Sequence, residues 1–314
     1  MSITRMSLPS GIINTGAQHL IGAGELFTTG KVFYVDSVTG SDGNVGSDPA
    51  APKATVDSAI GSCTANKGDT IVLMPGHAET VTATSIALDV AGVTILGLGN
   101  GLKRPTFTFG AAAATITVSA ANCAWKGCHF IGNFLDVAAA FTLAAAKDFE
   151  LNNNSFIDNT ASLGFLSIIV TNATDNSADG LTVTENYVYG LDLSPNAVIS
   201  ILAAQDRVLI ADNHANLAAT NDVGHFITVA AKIVKGIRIL RNSLIVVGSS
   251  GATVGIFMTG SSTTNTGIVA YNLVNSLDAG TELITTAALG LAMFDNKYTG
   301  ALTASGYILP AIDA

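Results

Sequence analysis

One short pattern returns throughout the second half of the chain and restricts the folds that the sequence can adopt. It consists of an apolar residue, two variable residues, an asparagine, one variable residue and a second apolar residue. Successive asparagines are separated by 32, 27, 29, 30 and 24 residues. They are Asn154, Asn186, Asn213, Asn242, Asn272 and Asn296. A period of this length without helical periodicity predicts a repeat architecture.

The segments between the asparagines contain short β-type runs, such as "FLSIIVTNA" and "HFITVAA". Two or three strands in each period predict stacked coils, in which every strand pairs with its counterpart in the next coil. Asparagine suits a corner of such a coil because it tolerates the left-handed backbone region and its amide can bond to neighbouring coils. We therefore predict an all-β chain, a single-stranded right-handed parallel β-helix, with the six asparagines as a buried ladder.

A stack of coils leaves its first strands and its apolar interior open at the N-terminal end, so this end needs a cap. The segment "PKATVDSAIGSCTANKGD" predicts a short capping helix, with Thr55 as the N-cap and Val56, Ala59 and Ile60 on one face. We assign residues 32–80 to the cap and first coil, and residues 81–314 to the β-helix with a short C-terminal cap.

Residues 1–31 precede the cap and predict an extended N-terminal arm. An arm of this composition is expected to become ordered against a partner or a neighbouring copy; folding back over the cap of its own subunit is the alternative. Its candidate anchoring residues are Leu8, Ile12, Ile13, Leu20, Ile21, Leu26 and Phe27.

Residues 33–80 carry a family resemblance. The run "YVDSVTGSDGNVGSDPAAPKATVDSAI", followed by "GDTIVLMPGHAET", resembles the N-terminal capping signature of the pectin-lyase-like superfamily of right-handed parallel β-helix proteins. His77 stands where that signature commonly has an aromatic residue. The superfamily includes polysaccharide lyases, glycoside hydrolases, bacteriophage tailspikes and other virion proteins, and this chain is most similar in style to the virion proteins. The resemblance thus implies an architecture and leaves the function open.

Charge and composition exclude several classes of partner. The net charge is -9 with only 14 lysines and arginines, which argues against a nucleic-acid partner. No window approaches 18 uninterrupted apolar residues and no signal peptide is recognisable, so we expect no membrane contact and no export. Cys63, Cys123 and Cys128 lack zinc-site spacing and are predicted to be reduced and mostly buried.

A search for catalytic residues finds no convincing set. A hydrolase of this fold needs two neighbouring carboxylates; Asp212 and Asp295 precede ladder asparagines three coils apart, and Asp158 has no obvious partner. We predict no catalytic residue, no cofactor and no metal. The histidines, which show no Ser or Cys partner in the sequence, are interpreted as turn or packing residues. They are His19, His77, His129, His214 and His225.

Two further groups have alternative interpretations. Asp36, Asp42 and Asp48 lie in one loop and are interpreted as turn residues, with a Ca²⁺ site as the alternative. The one local basic group is interpreted as a solvated face. The alternative is the active site of a lyase for uronic-acid chains, which would need Ca²⁺-binding carboxylates as well as a Lys or Arg base. The basic group consists of Arg207, Lys235, Arg238 and Arg241.

These features favour a structural virion protein of a tailed bacteriophage, without enzymatic activity. We expect a homotrimeric head decoration or cement protein on the outer surface of the head, assembled in the host cytoplasm. The arm would bind the major capsid protein, and the low charged fraction of 12% suggests lateral faces packed against other copies. Two alternatives remain: a tailspike or adhesin that binds a surface polysaccharide, and a free polysaccharide lyase or hydrolase. The aromatic candidates for such binding are Tyr187, Tyr189, Tyr271 and Tyr298.

Overall fold

A computed structural model of the protein describes most of the chain from residue 28 onward. The described residues are 28–83, 86–160, 162–190, 197–218, 225–229, 232–247, 255–258, 265–276, 284–286, 290–300 and 305–308. All seven candidate anchoring residues of the arm lie outside this part of the chain. The described residues form a right-handed parallel β-helix with very little helix, which confirms the predicted fold class.

Each complete coil contributes one strand to each of three long sheets, and the strands of a sheet pair in parallel with their counterparts in adjacent coils. The first sheet contains Val32–Val35, Thr70–Leu73, Thr94–Gly97, Ala124–Lys126, Glu150–Asn152, Thr182–Thr184, Leu209–Ala211, Ile237–Leu240, Gly267–Ala270 and Leu291–Phe294. The second sheet contains Ala78–Val81, Thr106–Phe109, His129–Gly132, Ser155–Asp158, Tyr187–Gly190, His214–Ala218, Ser243–Val247, Leu273–Ser276, Asn296–Gly300 and, antiparallel at the end, Ser305–Ile308.

The third sheet and three minor elements complete the coils. The third sheet contains Ile86–Leu88, Ile116–Val118, Phe141–Leu143, Ile169–Thr171, Ala197–Ile201, His225–Val229, Ile256–Met258 and Ile284–Thr286. Gln205–Asp206 pairs with Val234–Lys235 in a two-stranded sheet, and Gly101–Lys103 forms one 3₁₀ turn. Strands of three to five residues alternate inward and outward side chains, so each coil presents apolar residues to the interior and varied residues to solvent.

Aromatic rings fill the interior of the early coils. Phe107, Phe130 and Phe156 occupy equivalent inward positions of the second sheet, with ring centroids 5.5 Å and 4.8 Å apart between neighbours. Trp125 meets this column from the first sheet, with its ring 5.3 Å from that of Phe107 at an angle of 78°. Later coils use aliphatic residues at the same positions, for example Val188. Equivalent inward positions therefore form continuous columns that hold the coils in register.

The six predicted ladder asparagines lie at the corner between the first and second sheets, and each is at most 4% exposed. Oδ1 of each asparagine after the first accepts hydrogen bonds from the backbone N–H and from Nδ2 of the previous asparagine in the column. For Asn213 these two bonds, from Asn186, measure 3.0 and 3.1 Å. Cys128 occupies the same position one coil before Asn154, and its N–H donates to Asn154 Oδ1 at 2.9 Å. The column thus joins successive coils through side chains as well as through sheet hydrogen bonds.

The left-handed backbone at this corner belongs to the residue before each asparagine, so the conformational part of our explanation for asparagine was wrong. The left-handed residues are Gly127, Asn153, Glu185, Asp212, Arg241, Tyr271 and Asp295, with φ between 50° and 76°. Six of these seven positions carry a side chain, which points away from the interior. Asparagine is suited to the next position because its amide has both a donor and an acceptor for the two neighbouring coils.

The N-terminal end carries a short helix, α1, over Val56–Ile60. Thr55 is its N-cap, and the Thr55 hydroxyl accepts a hydrogen bond from the Ser58 N–H at 3.3 Å. Val56, Ala59 and Ile60 are buried against the first strands of the stack. The helix therefore covers apolar interior that the first coil would otherwise leave open.

A buried histidine connects this helix to the first coil. His77 Nδ1 accepts a hydrogen bond from the Ser37 N–H at 3.1 Å, and its Nε2 lies 3.3 Å from a carboxylate oxygen of Glu79. The same Glu79 oxygen accepts from the N–H of Val56 at the start of the helix, at 3.1 Å. The His77 ring also packs against Phe107, with ring centroids 5.8 Å apart.

Candidate functional site

A row of four residues on the solvent side of the second sheet has the chemistry of a binding site. His129, Ser155, Tyr187 and His214 occupy equivalent positions in four successive coils, each paired directly with the next. We call this group the outer row. The neighbouring residues in each strand, such as Phe130, point inward and are buried. The outer row therefore faces solvent with the spacing of about 4.8 Å that separates adjacent strands.

Tyr187 is the central residue of the outer row. Its ring stacks on the His214 imidazole with centroids 5.2 Å apart and planes only 4° from parallel. Tyr189, two residues along the same strand, lies 6.5 Å away with its ring plane within 6° of that of Tyr187. The other neighbour of Tyr187 in the row is the small Ser155, which leaves more room beside the ring than His214 does on the other side. Tyr187 is 40% exposed.

The other half of the outer row is a hydrogen-bonded pair. His129 Nδ1 lies 2.5 Å from Ser155 Oγ. Burial, and then the nearby positive charge of Arg104, lower the pKa of His129 below its ordinary value. The ring is therefore neutral near pH 7, and a neutral imidazole nitrogen can accept the serine proton in a hydrogen bond.

Arg104 lies at the corner beside this pair. Its Nε donates to the Gly127 carbonyl at 3.1 Å, and its Nη2 donates to the carbonyl oxygen of Asn153. These carbonyls precede His129 and Ser155 by two residues each. Burial lowers the pKa of the Arg104 guanidinium, and within the described part of the chain the ion pairs do not include it. A guanidinium bound to carbonyl oxygens keeps its full positive charge, which is available to an anionic group nearby.

Two members of the predicted basic group lie beside carboxylates. Arg241 donates to both oxygens of Asp212, one coil earlier in the left-handed column, at 2.7 and 2.6 Å. Arg207 lies 3.5 Å from Asp148. These pairs are exposed, so each contributes little to stability, and they leave the group less positive than its sequence suggests.

The carboxylates do not form a catalytic pair of the expected kind. Asp212 forms an ion pair with Arg241. Asp295 is exposed at the equivalent left-handed position three coils later, so the two carboxylates are not neighbours. Asp158 points into the interior, is 6% exposed, and accepts a hydrogen bond from the Phe165 N–H at 3.1 Å. Its position corresponds to Gly132 in the previous coil. Asp158 therefore holds the segment that leads to the third sheet.

The aspartates of the N-terminal loop are bound to the loop itself. Asp42 accepts hydrogen bonds from the N–H groups of Ala54 and Thr55, both at 3.0 Å, which ties the loop to the start of α1. Asp36 and Asp48 accept from backbone N–H groups two residues further on. Over the described residues no group of three His, Cys, Asp or Glu side chains is arranged to hold a metal ion.

The cysteines and the remaining aromatic candidates lie apart from the outer row. Cys123 and Cys128 are buried free thiols, and Cys63 is a partly exposed one. Burial raises the pKa of Cys63 and of Cys128 to about 12, so neither is a reactive thiolate. Tyr271 is exposed at the corner, where its ring meets Phe294 at 5.4 Å.

The side chain of Tyr298 and all of His19 lie outside the described residues. The helices of the described part include none that is long and apolar enough to cross a membrane.

Sequence reasoning missed the contact between His129 and Ser155, and the interpretation of His129 as having no serine partner was wrong. The two residues are 26 positions apart, so a search for local motifs does not find them. The repeat frame does contain the signal: Cys128 and Asn154 are equivalent, so the residues that follow them must lie side by side in adjacent coils.

The fold and its N-terminal capping helix define a right-handed parallel β-helix protein. No family model and no curated protein matches the sequence. Among solved structures, a rhamnogalacturonan lyase is similar over 85% of this chain and 87% of its own, with 16% identity and a TM-score of 0.39. At these values the likeness concerns architecture alone and assigns no activity to this chain.

This comparison corrects one prediction. We predicted from the sequence that the chain is not an enzyme, and this prediction is withdrawn: the matching structure is named as a lyase, although the match assigns no activity to this chain. The reasoning relied on the lack of a carboxylate pair in a linear scan. Sites in this architecture are assembled from different coils, as the contact between His129 and Ser155 illustrates, so such a scan does not exclude an enzyme.

Proposed function

We propose that the protein binds a polysaccharide along the outer row of the second sheet. The observation that supports this most directly is the ring of Tyr187, which is 40% exposed, stacks on His214 and has the small Ser155 as its other neighbour in the row. Apolar ring faces flanked by hydrogen-bonding groups are what a sugar requires, because its C–H face packs on an aromatic ring while its hydroxyls need polar partners.

The polar partners are close to the ring. His129, Ser155 and His214 supply imidazole nitrogens and a hydroxyl within the same row, and Tyr189 extends the aromatic surface sideways. The row extends over four coils, so it offers contacts to a saccharide of several sugar units. A regular, pre-formed row loses little conformational entropy when it binds such a chain.

Binding can be tested with an array of neutral and uronic-acid-containing oligosaccharides, followed by calorimetry with the best ligand. Tyr187→Ala should weaken binding roughly fivefold to tenfold, which corresponds to about 1 kcal/mol of aromatic contact. Tyr271→Ala is the matched control, since it removes an exposed tyrosine outside the outer row. Equal effects of the two substitutions, or no ligand on the array, would argue against this proposal. Chromatography of the polysaccharide after incubation shows whether binding is accompanied by cleavage.

A second proposal keeps the virion role that was predicted from the sequence: a homotrimeric component of a phage head that contacts the major capsid protein. The observation that favours a protein partner is an exposed apolar group in the last coils, formed by Tyr271, Leu273 and Phe294, which are 53%, 43% and 40% exposed. Clustered exposed apolar side chains are typical of protein interfaces.

Quantitative mass spectrometry of purified virions tests this second proposal. A copy number similar to that of the major capsid protein supports a decoration lattice, and deletion of residues 1–31 should then abolish attachment to the head. Absence of the protein from virions, or attachment of the truncated protein, contradicts the proposal or its account of the arm.

A further inference from the structure

We propose that Ser155 and His129 form a nucleophile and base pair that hydrolyses O-acyl esters on the bound saccharide. This inference rests on the proposed polysaccharide binding for the position of the substrate. The pair itself rests on a separate observation, the distance of 2.5 Å between His129 Nδ1 and Ser155 Oγ. A serine activated by an adjacent histidine is a common arrangement for ester cleavage.

The pair is rigid and accessible. The two residues lie on neighbouring strands that are paired in parallel over four residues, so their separation is fixed by the sheet and does not depend on a loop. Both side chains are partly exposed. A nucleophile in this setting can meet a large substrate from solvent without any opening movement.

The position of Ser155 relative to Tyr187 relates the pair to the saccharide. Ser155 is the direct register partner of Tyr187 in the adjacent coil. A sugar ring that packs on the Ser155 side of Tyr187 therefore lies over Ser155, and an acyl substituent on that sugar comes within reach of the hydroxyl. This geometry favours an ester on the sugar as the substrate, because the glycosidic bonds lie at the ends of the ring.

Protonation states and charge also suit the reaction. Burial and the Arg104 charge lower the pKa of His129 and so keep its ring neutral, and a neutral ring has a nitrogen free to accept the serine proton. Arg104 is fixed by carbonyl oxygens that precede His129 and Ser155 by two residues. Its positive charge stabilises the negative oxygen that develops when the serine adds to a carbonyl.

The reaction has two balanced steps. In the first, Ser155 Oγ forms a bond to the ester carbonyl carbon, His129 takes the serine proton and returns it to the sugar oxygen, and the C–O bond to the sugar breaks. In the second, His129 takes a proton from water, the resulting hydroxide forms a bond to the acyl carbon, the bond between that carbon and Ser155 Oγ breaks, and the proton returns to Ser155 Oγ. The products are the free sugar hydroxyl and a carboxylic acid, and water is the one co-reactant.

The test uses the full chain, a fluorophosphonate probe that labels activated serines, and 4-nitrophenyl acetate as a substrate. We expect mass spectrometry to find the label on Ser155. Ser155→Ala and His129→Gln should each reduce ester hydrolysis at least about 100-fold, the usual contribution of a general base or a nucleophile. Ser243→Ala is the matched control, because Ser243 lies opposite His214 on the same face of the sheet, and it should leave the rate unchanged.

Several outcomes overturn the inference. Labelling elsewhere, including on Ser243, or hydrolysis that survives Ser155→Ala, excludes the pair as the active group. Far-ultraviolet circular dichroism and thermal unfolding of each variant show that its fold is intact, and Ser155→Thr provides a second variant that keeps the hydroxyl but crowds it.

The experiments distinguish a failure of the esterase proposal from a failure of the saccharide-binding proposal. Saccharide binding that depends on Tyr187 without labelling of Ser155 rejects the esterase and keeps the binding function. A labelled Ser155 in a protein that binds no saccharide supports the pair and rejects the binding function.

Discussion

Replacement of one ladder asparagine, Asn213→Ala, gives the sharpest test of how this β-helix is held together. The side chain is 2% exposed and makes five hydrogen bonds. Its Oδ1 accepts from the backbone N–H and Nδ2 of Asn186. Its Nδ2 donates to the Val183 carbonyl at 2.9 Å, to the Ala211 carbonyl at 3.0 Å and to Asn242 Oδ1 at 3.0 Å. Alanine removes all five bonds without changing the backbone at this position.

The expected cost follows from the groups that are left without a partner. The Asn186 Nδ2 keeps a bond to the Leu151 carbonyl, and Asn242 Oδ1 keeps the bond from the Asn213 backbone N–H. The Ala211 carbonyl keeps the bond from the Glu185 N–H at 3.3 Å. The buried N–H of Asn186 loses its acceptor, and the Val183 carbonyl loses the bond from Asn213. At about 1 kcal/mol for each of these two groups, the free energy of unfolding should fall by about 2 kcal/mol.

Chemical denaturation followed by circular dichroism measures this loss, and hydrogen exchange locates it. The Asn186 amide should lose protection, because its acceptor is the side chain that was removed. Asn152→Ala is the matched control: that asparagine is partly exposed on the first sheet and its best hydrogen bond, to Thr184 Oγ1, measures 2.9 Å. The control should cost less than about 1 kcal/mol. Equal losses in the two variants, or an unchanged Asn186 amide, would refute the ladder argument.

Three further predictions concern the backbone, the thiols and acid stability. Gly127→Ala should destabilise the fold more than Gly101→Ala. Both glycines have positive φ, but only at residue 127 would an added Cβ lie 2.8 Å from a carbonyl oxygen of the adjacent coil. Urea unfolding of the two variants measures the difference in stability. Burial raises the pKa of Cys63 and of Cys128 to about 12. Both thiols should therefore react with a thiol reagent at pH 8 only after the protein unfolds, and rapid reaction of the native protein would contradict this.

The third concerns Asp42. Burial raises its pKa, but hydrogen bonds from Thr55 outweigh burial and leave the pKa lowered. Its stabilising effect is therefore present above the ordinary carboxyl pKa and lost as the pH falls through the lowered one. Asp42→Asn should flatten the loss of stability from about pH 5 downward, and an unchanged acid limb would disprove the assignment.

The repeat made the architecture predictable. An asparagine every 24 to 32 residues, together with alternating apolar runs, implies coils of nearly constant length, and constant length is the condition for parallel stacking. The equivalence of Cys128 with Asn154 could also be read from the frame, and its hydrogen bond to Asn154 follows from that equivalence. The capping helix was visible from Thr55 and from the apolar face behind it.

The outer row was not predicted, for a physical reason. Its members are separated by 26 to 32 residues along the chain, and their chemistry arises only when neighbouring coils bring them together. The left-handed column was missed for a different reason: residues as unlike as Glu185, Arg241 and Tyr271 adopt the same φ. Because the buried amide of the next residue fixes the corner, the side chain of the left-handed residue is free to vary.

This separation between a fixed interior and a variable exterior indicates where function is to be sought in the molecule. The inward columns and the asparagine ladder repeat similar chemistry in coil after coil, since any change there disturbs two neighbours. On the outer face of the second sheet, by contrast, the chain places His129, Ser155, Tyr187 and His214 in consecutive coils and then changes to the apolar Leu273 two coils later. Stacking of the coils does not require such a sequence of side chains. A ligand that extends over several coils is the simplest physical reason for it, which is why Tyr187 and Ser155 are the residues to change first.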